Sequence, residues 1–179
     1  MSEAQEIALD RQLAPQQFSL DLGPIQQTSV NAYVSEVGAR VHAVSHRPNM
    51  PYSYRVLNAN YLNAYSFPGG SIGTMRALVV RLDDEAQLAA LLGHEIGHVN
   101  ARHSAQQQAK SLVAQVALTA LDAATSKNDW GQFLVQGGSI GASALLASYS
   151  REQEREADYL GQRYMVLAGY PASGMARLH

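Results

Sequence analysis

The 179-residue sequence contains no cysteine. Disulfides, thiolate-bound zinc, thiol nucleophiles and iron–sulfur clusters are excluded together, and any metal must be held by His, Asp and Glu. Net charge is also small: 13 Lys and Arg against 15 Asp and Glu leave a formal charge of -2. That is not the basic footprint of a nucleic-acid binder, so no nucleic-acid partner is expected. Long apolar runs are missing as well. Leu112 to Leu121 is interrupted by Gln115 and followed by Asp122, and Ile140 to Ala147 follows Gln136, Gly137, Gly138 and Ser139. Neither reaches the ~18 uninterrupted apolar residues of a membrane span, so no transmembrane segment is expected. The opening Met1-Ser2-Glu3-Ala4-Gln5-Glu6 is polar and acidic and does not read as a signal peptide.

What is present is a globular composition, with 46% apolar and 16% charged residues. The length suits a single domain over residues 1–179. Residues 3 to 13 read as a short helix stopped near Pro15, and Phe18 to Thr28 as irregular chain with a Gly23-Pro24 turn. Val30, Tyr33, Val34, Val37, Val41 and Val44 recur at helical spacing, which predicts an amphipathic helix over 29–45. Strands are expected at 52–58, 64–67 and 71–74, with Pro68-Gly69-Gly70 as a turn. Leu78 to Arg81 either prolongs the sheet or leads into the next helix.

Asp83 or Asp84 caps a strong helix running to about Ala101, with Leu88, Leu91, Leu92, Ile96 and Val99 on its apolar face. A further helix is expected over 105–124 and a loop over 127–138. A last helix runs from 140 to about 168, with a break near 148–150 and a stop at Gly169-Tyr170-Pro171. Helices, a small sheet, then helices is an α+β order rather than alternating βαβ units.

His94-Glu95-Ile96-Gly97-His98 lies inside the strong helix. Residues four apart share a helix face, so His94 and His98 can grip one Zn²⁺. Glu95 points about 100° away, where it can act as a general base on a water beside the metal. With 6 His in the chain, chance would produce this pattern about 0.01 times.

Two imidazoles need a third protein ligand. His103 is offset from the position a metzincin pattern would demand and reads as a surface residue at the helix end. The remaining candidates lie in Ser150-Arg151-Glu152-Gln153-Glu154-Arg155-Glu156-Ala157-Asp158. Glu154 and Asp158 share one helical face, nearer the apolar Ala157 and Leu160, while Glu152 and Glu156 share another that reads as solvated. Glu154 is the favoured ligand from position alone, with Glu152, Glu156 and His103 as alternatives. An acid one turn beyond a ligand, such as Asp158, can hold the second N–H of a ligand imidazole.

His94 to Asn100, followed by Ser150-Arg151, Glu154 and Ala157-Asp158, resembles the gluzincin peptidases of the HtpX, BepA and CAAX-prenyl-protease type, peptidase family M48. Tyr33-Val34 to Arg40, Arg47 to Tyr52 and Asn63 to Gly70 resemble its soluble, periplasmic BepA-like branch, so that the likeness runs from about Glu6 to Gly169. The resemblance implies a zincin-like α+β fold, mostly helical with a small mixed sheet beside the metal helix. It places one zinc per chain on His94, His98 and Glu154, the general base on Glu95, and the supporting acid on Asp158. It further implies a metalloendopeptidase of the bacterial periplasm or envelope, acting in protein quality control on unfolded or misassembled polypeptides. Similar domains usually continue beyond the ligand helix, so a domain cut short on its C-terminal side is also expected.

An edge strand beside a metal helix can hold substrate by strand addition, which makes Asn63, Ala64, Gly69 and Gly70 candidate substrate contacts; the two glycines also suit an ordinary hairpin turn. Gly93 and Gly97 read as close packing against the metal helix, and His42 and His46 as solvated positions. Two other functions remain compatible with the sequence: a metal-containing chaperone or binding module, and a latent protease whose segment 112–147 covers the site.

Overall fold

The computed structural model describes residues 1–107 and 149–178. Helix α1 (Glu3–Leu20) starts in a capping box, in which Ser2 and Gln5 each bond the other's backbone N–H. The expected stop at Pro15 is corrected: the helix continues through it to Leu20. Pro15 forfeits one intrahelical hydrogen bond. Packing on both sides of it outweighs that loss. Leu13 and Ala14 are buried with Leu57, Tyr65, Phe67 and Met75, and Phe18 lies against the same cluster. Glu6, also in α1, is 1% exposed. Its carboxylate accepts from Arg47 and from Arg102, each at 2.6 Å.

After α1, Leu22 and Gly23 take positive φ, and Ile25 N–H then donates to Val56 O beside the sheet. Helix α2 (Thr28–His42) buries Val34, Val37 and Val41 of the expected stripe, while Tyr33 and, beyond the helix end, Val44 are exposed. Strands β1 (Ser53–Leu57), β2 (Ala64–Ser66) and β3 (Ser71–Met75) form one sheet in the order β1-β3-β2. β1 is parallel to β3, from Ser53↔Ser71 to Leu57↔Met75, and β2 is antiparallel to it, from Ala64↔Thr74 to Ser66↔Ile72. The sheet is thus mixed, and β2 contacts the helix that carries His94 and His98. Residues 76–79 form a short helix, α3 (Arg76–Val79), rather than a strand.

Helix α4 (Glu85–Asn100) is capped by Asp84, whose side chain accepts from Gln87 N–H. It is buried on nearly every side, with Leu88, Leu92 and Ile96 in the main core alongside Val34, Val56 and Tyr164. Helix α5 (Arg151–Leu167) opens in a second capping box at Ser150 and Gln153, and the part of the expected 140–168 helix before residue 149 lies outside the described residues. Helix α6 (Ser173–Leu178) follows the turn after α5. Residues 103–107 are helical, at the start of the stretch expected as a helix over 105–124. The rest of that helix, the 127–138 loop and the stretch before Tyr149 lie outside the described residues. Among the described residues no helix is long and apolar enough to cross a membrane. A mostly helical structure with this small mixed sheet is the α+β arrangement expected.

Candidate metal centre

Helices α4 and α5 meet backbone to backbone. A Cβ on Gly93 would lie 2.8 Å from Gly161 O, and one on Gly97 would lie 2.6 Å from Ala157 O. The close packing expected of these glycines is present. It brings the first turn of α5 over the last turns of α4.

His94 Nε2 and His98 Nε2 lie 3.0 Å apart. Glu154 Oε2 lies 3.4 Å from the first and 3.9 Å from the second. Ligand atoms at 2.0–2.1 Å from a tetrahedral zinc are separated by about 3.3 Å, so these spacings fit one ion. Among the described residues this trio is the one group of His, Asp and Glu whose donor atoms converge, all within 4.8 Å. The partners on the far side of each ring strengthen the fit. His94 Nδ1 is 2.8 Å from Asp158 Oδ1, and His98 Nδ1 is 2.9 Å from His103 Nδ1. With each Nδ1 carrying its hydrogen, the two Nε2 lone pairs face the same gap and cannot hydrogen-bond each other, and a cation placed there satisfies both. His98 is 1% exposed. Its burial, reinforced by the neighbouring His94 and His103, pushes its imidazole down to about 2, which keeps it neutral as a ligand must be.

Glu95 is buried, 6% exposed, and that burial pushes its carboxyl above the ordinary carboxylate range against the opposing pull of His94. Tyr149 stacks on the His98 ring, 4.0 Å between centroids and 21° from parallel. Its hydroxyl lies 2.7 Å from Ser104 Oγ, which donates to Ser66 O on β2. The imidazole, the tyrosine and the edge strand thereby form one packed unit.

Three expectations need correction. His103 is not a surface residue: it is 1% exposed and lies against His98. α4 ends at Asn100, and Arg102 adopts φ 62°, which turns the chain back toward the metal helix. Glu156 is 58% exposed but not merely solvated, since its Oε2 lies 3.2 Å from His103 Nε2. His42 and His46 likewise have partners, the hydroxyls of Tyr54 and Tyr164. Tyr149 was not singled out by sequence; its place five residues before Glu154, just ahead of the α5 cap, was the available signal.

Of the candidate substrate contacts, Asn63 O already accepts from Met75 N–H, and Ala64 lies on β2. Gly69 and Gly70 have fold reasons to be glycine. A Cβ on Gly69 would come 2.9 Å from the α1 backbone at Ile7, and Gly70 has φ +100°.

Residues 28–179 match peptidase family M48. The chain belongs to that family. It is 28% identical over 156 residues to the beta-barrel assembly-enhancing protease of Escherichia coli (strain K12), covering 84% of this chain and 32% of that protein. It is 34% identical over 140 residues to the mitochondrial metalloendopeptidase OMA1 of Schizosaccharomyces pombe, covering 76% and 39% respectively. Against the metalloprotease YcaL of Escherichia coli (strain K12) the figures are 31% over 128 residues, 70% and 48%. The chain spans about a third to a half of the length of these curated relatives. M48 proteins are metal-dependent peptidases, and the His94, His98 and Glu154 donors are compatible with that. Family membership does not favour the non-catalytic binding module.

Proposed function

We propose that this M48 domain is a zinc metalloendopeptidase, with one zinc on His94, His98 and Glu154 and with Glu95 as general base. The observation that carries the reading is the convergence of two Nε2 atoms and a carboxylate oxygen beside a buried glutamate. When bound there, zinc supplies Lewis acidity to a peptide carbonyl and makes a water molecule easier to deprotonate. Glu95 accepts the proton of the attacking water at its carboxylate and passes it to the leaving amine nitrogen. Its burial favours the protonated form, which is the form that must donate. Asp158 keeps His94 in the Nδ1–H tautomer, so that Nε2 stays available.

The substrate is an extended polypeptide laid along β2. In an antiparallel pair the backbone groups alternate in direction. Asn63 O and Phe67 N–H bond to β3, which turns the groups of Ala64 outward. Strand addition at that edge needs little sequence specificity, which suits unfolded proteins. Similarity to the beta-barrel assembly-enhancing protease supports a place in the bacterial envelope, periplasmic, with misassembled envelope proteins as substrates.

The test measures zinc per chain, thermal unfolding and casein cleavage on wild type and Glu95→Gln. Gln is close to isosteric and leaves the three ligands untouched, so both proteins should hold one zinc and unfold alike. Cleavage should fall ~10²–10⁴-fold in the variant. Equal cleavage by both would remove Glu95 from the mechanism. One zinc per wild-type chain with no cleavage would displace the peptidase reading in favour of a binding module.

A further inference from the structure

We propose that His103 is a positioning residue for the metal centre: it fixes the tautomer of His98, and Glu156 fixes His103 in turn. The inference rests on the reading of His94, His98 and Glu154 as zinc ligands.

A neutral imidazole carries one N–H. For His98 to offer a lone pair at Nε2, its hydrogen must sit on Nδ1. That N–H lies 2.9 Å from His103 Nδ1, which must then be the acceptor. The His103 hydrogen is left on Nε2, 3.2 Å from Glu156 Oε2. Glu156 as a carboxylate can only accept, so it sets the direction of the whole chain: His98 donates to His103, and His103 donates to Glu156. The opposite direction would place a hydrogen on His98 Nε2, facing His94 Nε2 at 3.0 Å, and would cost the site a ligand.

The placement around this chain supports the assignment. His103 is 1% exposed, so water does not compete for its Nδ1. Tyr149, stacked at 4.0 Å, holds the His98 ring in plane, and Ser104 ties that tyrosine to β2. His94 reaches its acid directly, at 2.8 Å in Asp158. Both ligand imidazoles are therefore oriented by acids from α5, one in direct contact and the other through an interposed histidine.

The test uses the full chain, loaded with one zinc, with wild type, His103→Phe, His103→Gln and Glu156→Gln compared. Zinc affinity is read by chelator competition, and the imidazole tautomers by ¹⁵N-detected NMR of the zinc form. His103→Phe fills the space without an acceptor and should weaken zinc about 10–100-fold. His103→Gln keeps a carbonyl acceptor and should recover most of that loss. Glu156→Gln, at an exposed position, should lose less than His103→Phe. In wild type the spectrum should show His98 with hydrogen on Nδ1 and His103 with hydrogen on Nε2 only. A hydrogen on His103 Nδ1, or His103→Phe holding zinc as tightly as wild type, overturns the proposal while leaving the ligand set standing. Should His103→Phe not fold, the wild-type spectrum and the Gln variants decide alone. A wild type that binds no zinc overturns the ligand reading and this proposal together.

Discussion

Gly93 and Gly161 face each other across the α4–α5 contact so closely that a Cβ on Gly161 would lie 2.6 Å from His94 N. The neighbouring atoms are backbone and cannot swing aside. Gly161→Ala should therefore push the helices apart, at a cost of about 1–3 kcal/mol. Because α4 carries His94 and α5 carries Glu154, the same change should weaken zinc binding. Denaturant unfolding of the metal-free protein and chelator competition on the loaded protein read the two effects. Normal stability with normal zinc affinity would show that the helices do not need this approach.

Glu154→Ala removes the one carboxylate of the donor trio and leaves two imidazoles. The loss of zinc affinity should exceed the ~10–100-fold typical of an outer partner. Elemental analysis after dialysis against a weak chelator is the measurement. Zinc retained at wild-type stoichiometry would hand the third position to another acid of α5.

Asp158→Asn keeps size and shape but replaces a charged acceptor with an amide beside His94 Nδ1. The expected outcome is a site that still forms, with zinc affinity or activity lowered about 10–100-fold. Complete loss of the metal would mean that Asp158 ligates directly.

Glu85 offers a pH test away from the metal. Its carboxylate accepts from the hydroxyls of Tyr170 and Tyr33 and pairs with Arg40, and these contacts hold it below the ordinary carboxylate value of 4.5. A carboxylate depressed in the folded state contributes stability that is complete above its ordinary, unfolded value and is lost as pH falls through the lower, folded one. Glu85→Gln should thus unfold more easily than wild type at neutral pH, and the gap should close well below pH 4.5. Thermal midpoints of metal-free protein across that range check it. A gap that stays constant with pH would mean the ionised form contributes nothing.

The readable parts of this protein were the local ones. Four-residue spacing puts His94 and His98 on one face, and the Asp83-Asp84 pair announces a helix start, which the structure assigns to Asp84. The pairing of Glu154 with those histidines depended on resemblance as much as on position, because its partners lie on another helix. The burial of His103 is not legible in the sequence because it follows from the φ of Arg102, a conformation the residue type does not announce. Pro15 misled for the opposite reason: its local cost is real, but the apolar cluster around Leu13, Ala14 and Phe18 outweighs it. Tyr149 carries no local pattern, and only the folded chain lays its ring on His98.

The Glu6 carboxylate bears on where this chain can be cut. The family match starts at residue 28 and leaves α1 outside it. Expression from that boundary would strip Arg47 of both its carboxylate partners and would uncover the apolar cluster of Leu57, Tyr65, Phe67 and Met75 that Leu13 and Ala14 cover. It would also release Arg102, the residue whose backbone turns His103 inward. A helix that donates no atom to the metal thus belongs in any minimal fragment meant to bind it.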